Sequence, residues 1–517
     1  MQHKTHQSLK LITDIMITNT ITDVITDERM AGFTKYLERT RMDQKSYQYD
    51  GVRWILYNEL RPDPVCDVRG GFIADEMGLG KTIMMIGVML CNFVNKTLIV
   101  LPPVLVDQWC TQIYRTTGHK PLVYHGKNKK IVSEEQLNNT PIVITTYGAI
   151  NLTRKQIKQK ETTPLHRVQW GRLIFDEAHH LRNSKTTRFF SAKTLSAKIC
   201  WLVSGTPVQN KQKDFYSLCS MIKLPSSFYM DRENLRTLAR AFILKRTKSQ
   251  VGIEMPSLVL DKNIVAWRSR KEMELSEEIH SALAFSRIKS ANIEKHIVNK
   301  FQEDGILALL LRARQTCIYP KLMAKDSSKF MSSSLYAAYS DAFNCSSKLD
   351  AAVEKILHRK GNGCGKLIFC HFREEIDEVA KRLKAGGMDN VVCFDGRTAT
   401  GKRADILTTN NEALILQIQT GCEGLNLQEN YSEIYFISPH WNPAVEDQAI
   451  ARCHRIGQTK PVYVERFEMT SFPSREEITE EQIDTVTVDN YVGHVQESKR
   501  YIASRILIPP LGKVATK

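Results

Sequence analysis

Eight residues constrain this chain more than any bulk property does: Asp75, Glu76, Met77, Gly78, Leu79, Gly80, Lys81 and Thr82, set between two apolar runs. The run before them, GGFIA at 70–74, has the pattern of a short buried strand, and the run after them, IMMIGVML at 83–90, that of a buried helix. A strand, a glycine-containing turn and a helix make an anion site, because free backbone N–H groups and the helix dipole point at the same place. In that geometry Lys81 reaches the β- and γ-phosphates of a nucleotide and Thr82 ligates Mg²⁺. The generic pattern has a glycine where Asp75 stands, so the match is incomplete. A glycine turn ahead of a buried helix would use the same residues.

A second motif sharpens the first. RLIF at 172–175 reads as a buried strand, and Asp176-Glu177-Ala178-His179 follows at its carboxyl end, where ligands of open α/β sheets collect. Asp176 is placed to hold Mg²⁺ through water, and Glu177 to orient or deprotonate an attacking water. Alone, these four residues are a charged loop end; about a half-domain beyond the phosphate loop they complete a nucleotide site.

A third constellation lies far along the chain. In DQAIARCHRIGQ at 447–458, Gln448 is followed by Arg452 and Arg455. Read as a helix, the segment puts residues three apart on one face, and two guanidiniums there can meet a phosphate as arginine fingers do. A solvated basic helix face is the alternative. Arg455 is the better placed for a γ-phosphate and Arg452 for a supporting contact, while His454 suits packing or a hydrogen bond.

Together these motifs resemble the Swi/Snf-type branch of superfamily-two helicase-like ATPases. DEMGLGKT is that branch's usual phosphate loop, which accounts for Asp75. YQYDGVRW at 47–54 resembles its nucleotide-recognising segment, with Gln48 placed to read adenine. LIVLPPVLVDQW at 98–109 and ITTYGAI at 144–150 resemble first-lobe segments that touch the nucleic-acid backbone. SGTPVQN at 204–210 resembles the motif coupling hydrolysis to lobe movement, and FILKRTK at 242–248 the exit from the first lobe. LIFCHFRE at 367–374, QTGCEGLNLQ at 419–428 and the arginine segment resemble second-lobe motifs; Cys422-Glu423 departs from the paired glycines many members have there.

The resemblance spans about residues 45–470. It implies an α/β fold of two RecA-like parallel-sheet lobes with helical insertions between them, ATP and Mg²⁺ as cofactors, and Asp75–Thr82, Gln48 and Gln448 against the nucleotide. It implies double-stranded DNA as a track followed without strand separation, and work on nucleosomes or transcription complexes. The compactness of the chain resembles a viral branch, the global transactivators of insect large DNA viruses, which implies the host nucleus; the cytoplasm is the alternative location. A strand-separating DNA or RNA helicase and a non-enzymatic transcription scaffold are the competing readings. Intact Lys81, Thr82, Asp176, Glu177, Arg452 and Arg455 oppose the scaffold.

Composition agrees. Lys and Arg number 72 against 56 Asp and Glu, a formal net charge of 72 − 56 = +16, which favours polyanionic partners. KNKK at 127–130 and RKQIKQK at 154–160 could follow phosphates, though such clusters are more often a solvated face. The 12 cysteines include no CxxC pair, so no zinc ribbon or RING finger is expected, and reduced thiols fit cytosol or nucleus. No targeting segment, membrane span or internal repeat is evident. The expected organisation is a variable lead-in at 1–44, a first lobe at 45–250, a helical insertion and serine-rich linker at 251–345, a second lobe at 346–470, and a tail at 471–517 with an acidic stretch and a brace helix.

Overall fold

The computed structural model describes residues 24–206, 211–231, 233–283, 306–323, 333–399, 405–406, 409–418, 425–473 and 486–507. Within it the chain divides into two compact units, one of residues 1–254 with 502–517 and one of residues 255–501.

The first unit is built on a seven-stranded sheet. Its strands are β1 (Arg69–Ile73), β2 (Thr97–Leu101), β3 (Leu122–Tyr124), β4 (Ile142–Thr146), β5 (Trp170–Asp176), β6 (Ala197–Val203) and β7 (Ile243–Leu244). They lie in the order β3-β4-β2-β5-β6-β1-β7 and all pair parallel. Continuous apolar runs are required because both faces are covered. Along β2, Leu98 and Val100 enter one core while Ile99 and Leu101 enter the other, the two-residue alternation of a strand.

The phosphate-loop helix, Lys81–Cys91, is buried from Met84 to Met89, as its all-round apolar sequence demands. Part of the expected lead-in packs on it: Asp27–Thr40 is a helix burying Met30, Phe33, Tyr36 and Leu37. The fit is close, since a Cβ at Gly87 would stand 2.4 Å from the Phe33 ring.

The second unit has a six-stranded sheet in the order β10-β11-β9-β12-β13-β8, again parallel throughout. Its strands are β8 (Leu258–Val265), β9 (Gly365–Cys370), β10 (Val391–Phe394), β11 (Ala413–Gln417), β12 (Tyr431–Phe436) and β13 (Val462–Met469). The strand β8 comes from a stretch read in the sequence as helical insertion. It lies at the sheet edge and leaves Leu258, Leu260 and Ile264 exposed, with Asp261 and Lys262 between them. Charges on an edge strand discourage further pairing, and they also interrupt the apolar run that reveals a buried strand.

Helices Arg270–Ala282 and Ile306–Ile318 occur where helical patterns were read. The serine-rich stretch at 327–348, read as a linker, carries a helix at Ser333–Ala338 and at its end begins another, Ser347–His358. The last helix, Val488–Leu507, is secured to the second unit by a buried ion pair, Lys348 Nζ to Asp489 Oδ2 at 2.6 Å. The acidic stretch at 474–484 lies outside the described residues.

Candidate nucleotide site

Past Ile73, β1 runs into a loop whose left-handed Gly80 (φ 82°) caps the helix that starts at Lys81. A side chain at Gly80 would be strained, and a Cβ there would also stand 2.4 Å from Gln48 Nε2. The first-turn amides of this 11-residue helix have no intrahelical acceptor and present an anion site. Lys81 Nζ donates to the Asp75 carbonyl at 2.9 Å. Gln48 is buried and its Nε2 donates to the Leu79 carbonyl at 3.1 Å, so the expected adenine reader is in contact with the loop itself.

Asp75 and Glu76 contribute to this site through their backbone. The Asp75 carboxylate is fully buried and ion-paired with Arg246, and that of Glu76 is paired with Lys248 at 3.0 Å. Leu79 is fully buried. Met77 lies against Gly205, where a Cβ would stand 3.1 Å from Met77 Cγ and 3.4 Å from Lys81 Nζ. The start of SGTPVQN therefore flanks the phosphate lysine; residues 207–210 of that motif lie outside the described residues.

Asp176 closes β5. Trp109 Nε1 donates to its Oδ2 at 2.8 Å, and the Glu177 N–H donates to its Oδ1 at 2.9 Å. Tyr147 Oη donates to its carbonyl at 2.7 Å. Burial first, then the Glu177 charge, push the Asp176 carboxyl up to about 6, against the pull of Trp109, the Glu177 N–H and Lys81. Lys81 and Asp176 are therefore near enough to interact. Glu177 adopts the left-handed region (φ 50°), and its Oε2 lies 3.2 Å from His179 Nδ1. His179 Nδ1 also meets Ser204 Oγ at 3.4 Å, so DEAH touches the start of SGTPVQN.

The residues fit a hard cation. A carboxylate accepting two N–H bonds keeps further lone pairs on both oxygens, and carboxylate, hydroxyl and phosphate oxygens are the donor set Mg²⁺ takes, usually with water retained. Asp176 and Thr82 supply such donors. Among the described residues no cluster of three or more His, Cys, Asp or Glu forms a self-sufficient metal site.

Trp109 and Tyr147 fall in segments read as backbone contacts to nucleic acid. Their grip on Asp176 was not foreseen, although a tryptophan in a buried run needs a partner for its indole N–H.

In the second unit the expected helical face is corrected. The helix spans Pro443–Ile450, and Arg452 and Arg455 follow it in successive turns. Cys453 is buried in the core, and Gln458 Nε2 donates to the Gln428 and Tyr431 carbonyls at 2.9 and 3.0 Å. These contacts draw the chain off the helix axis toward the loop at 425–431. The Leu427 N–H meets the Arg452 carbonyl at 3.1 Å, and Arg455 pairs with Asn426.

The two guanidiniums still share one region: burial and the Arg452 charge both lower the Arg455 pKa from its ordinary value. Arg452 Nε and Gln448 Nε2 are buried with no hydrogen-bond partner among the described residues. Adjacent like charges with spare donors suit an anion. His454 Nε2 donates to the Pro256 carbonyl at 2.9 Å, the hydrogen bond that was one of the two roles expected of it. Cys422-Glu423 lies outside the described residues.

A model of the SNF2-related domain matches residues 47–322, and one of the helicase conserved C-terminal domain matches residues 347–457. An uncharacterized ATP-dependent helicase of Mycoplasma genitalium is 29% identical over 493 residues, 90% of this chain and 42% of that protein. A probable global transactivator of Orgyia pseudotsugata multicapsid polyhedrosis virus is 26% identical over 447 residues, 81% of this chain and 84% of that protein. The chain thus spans under half of the bacterial relative and most of the viral one. Among solved structures, the Sulfolobus solfataricus SWI2/SNF2 ATPase core in complex with dsDNA is similar with a TM-score of 0.37 and 22% identity, covering 83% of this chain and 88% of that one.

Proposed function

Because the chain belongs to the SNF2-related family, with a helicase conserved C-terminal domain behind the SNF2-related one, we propose that it is a nucleic-acid-dependent ATPase that moves along double-stranded DNA and remodels protein–DNA complexes. One observation carries the reading: the phosphate loop and DEAH converge on one place, since Gly205 abuts Lys81 Nζ while its neighbour Ser204 meets His179. That pairing suits a nucleoside triphosphate with its metal.

Lys81 and the helix amides hold the β- and γ-phosphates. Thr82 and Asp176 orient Mg²⁺, which when bound offsets charge developing on the phosphate oxygens. Glu177, held near His179, orients the attacking water. Arg452 and Arg455 supply the remaining positive charge at the γ-phosphate, with Gln448 beside them. The net charge of +16 supports a polyanionic track. The likeness to a global transactivator supports a role in transcription, with nucleosomes or transcription complexes as the material remodelled and the nucleus as the site of action.

The test is ATP hydrolysis measured without nucleic acid and with duplex DNA, single-stranded DNA and RNA. Duplex DNA gives the largest stimulation, and rising salt weakens its binding as phosphate contacts release counterions. ATP also displaces a triplex-forming strand while leaving the duplex paired. Efficient opening of a forked duplex would assign the chain to strand separation, and absent hydrolysis would make it a scaffold.

A further inference from the structure

The segment that follows β7 carries a guanidinium the reaction above does not use. Arg246 forms a two-pronged ion pair with Asp75, and its backbone N–H donates to Asp75 Oδ1 at 2.8 Å. The same guanidinium donates to the Tyr47 carbonyl and lies over the Tyr47 ring, 5.8 Å from its centre. The main chain joins in: the Ala74 N–H donates to the Leu244 carbonyl at 2.7 Å and the Glu76 N–H to the Arg246 carbonyl at 2.9 Å. Lys248 closes the row, its N–H donating to Glu76 Oε2 at 2.8 Å. The short pairing of β1 with β7 is thereby prolonged along the first half of the phosphate loop.

Three pieces of the first unit meet at this one side chain: the phosphate loop, the helix Ser46–Leu60 that carries Tyr47 and Gln48, and the segment leading to the unit boundary at Glu254. Gln48 holds the other half of the loop through the Leu79 carbonyl. The loop is thus fixed at Asp75 directly and at Leu79 through the helix that Arg246 also holds. The sequence makes room for this. A Cβ at Gly51, inside that helix, would stand 2.8 Å from an Arg246 terminal nitrogen and 2.5 Å from Met84 Sδ. Glycine in a helix interior costs about 1 kcal/mol relative to alanine, so its presence there trades helix stability for passage of the guanidinium.

We infer that Arg246 is a positioning residue for nucleotide binding, which through Asp75 and the Tyr47 carbonyl holds the phosphate loop and the Gln48 helix in one fixed relation. The inference rests on the reading that ATP binds this loop.

Gly51→Ala tests it without removing any polar group. In the full chain we expect Gly51→Ala to weaken binding of a fluorescent ATP analogue at least tenfold. KM for ATP rises by more than kcat falls, and the melting temperature moves by only a few degrees, because the helix preference of alanine offsets part of the crowding against Met84 and Arg246. Arg246→Ala shows a larger loss of affinity, together with a lower melting temperature because it leaves the buried Asp75 carboxylate unpaired. Arg246→Lys recovers only part of it, since an ammonium cannot keep both the fork to Asp75 and the bond to Tyr47. In a double-variant cycle, Asp75→Asn adds little to Arg246→Ala, as for two residues acting as one unit. Wild-type nucleotide affinity in Gly51→Ala or in folded Arg246→Ala overturns the inference, as does a fall in melting temperature with no change in affinity. A wild-type chain that binds no ATP analogue instead sinks the reading on which the inference rests.

Discussion

Asp75 and Asp176 both lie where strands of the first sheet end, Asp75 beyond β1 and Asp176 at the close of β5, with β6 between those strands. Both are buried, yet their surroundings are opposite. Asp75 is matched by the fork of Arg246. Asp176 receives neutral N–H groups from Trp109 and Glu177, has no ion pair among the described residues, and has its carboxyl pushed up to about 6. A buried charge without a bonded counter-charge costs stability. It persists where the missing cation arrives with the substrate. On the function proposed above, one aspartate is structural, and the other is held ready for a metal that travels with ATP. Perturbed carboxylates of the second kind mark functional sites.

Breaking the poised side gives the largest effect. Asp176→Asn removes several kcal/mol of charge stabilisation and lowers ATP hydrolysis by about a thousandfold or more. Glu177→Gln also stops hydrolysis but leaves ATP bound, because it spares Asp176; wild-type turnover in this variant would remove Glu177 from the water-positioning role. In the second unit the neighbouring Arg452 and Arg455 are like charges, which on the same proposal await an anion. Arg455→Ala leaves resting ATP affinity and duplex binding nearly intact while hydrolysis falls by roughly a thousandfold, and Arg455→Lys does not restore it. Steady-state kinetics beside equilibrium binding separates these outcomes.

Breaking the neutralised side acts on stability. Asp75→Asn strands the Arg246 charge and destabilises the first unit by about 3 kcal/mol, read by denaturant unfolding. A smaller effect comes from Trp109→Phe, which keeps the ring and removes the N–H bonded to Asp176. Loss of a hydrogen bond to a charged group costs about 1.5–3 kcal/mol, so hydrolysis falls by roughly tenfold or more, with a higher magnesium requirement. Unchanged magnesium dependence would show that Trp109 merely packs.

Much of this was legible in the sequence because the signals are local. The phosphate loop sits between a buried strand and a buried helix and DEAH closes another buried strand, and the strand runs at 97–101, 142–146 and 413–417 are mostly apolar. What escaped depends on distant partners. Asp75 departs from the generic glycine for the sake of Arg246, 171 residues away. Trp109 meets Asp176 across 67 residues. The arginine segment has helical spacing but leaves the helix at Ile450, because Cys453 and Gln458 are claimed by the core and by the loop at 425–431. The strand β8 hides its pattern behind the charges of an edge.

The contrast between the two aspartates is tested most directly by the melting temperatures of the wild-type chain, Asp176→Asn and Asp75→Asn at pH 7 without added metal or nucleotide. Asp176→Asn, though inactive, melts within about 3 °C of the wild type or above it, because relief of an unneutralised charge offsets the lost acceptor. Asp75→Asn melts clearly lower. The sign with pH follows from a carboxyl whose folded pKa is raised to about 6: the folded wild type takes up a proton between pH 6 and 4 that the unfolded chain does not, so it gains on Asp176→Asn as pH falls through that window. An Asp176→Asn protein that melts as low as Asp75→Asn at pH 7, with a difference from wild type that does not change down to pH 4, would contradict the account.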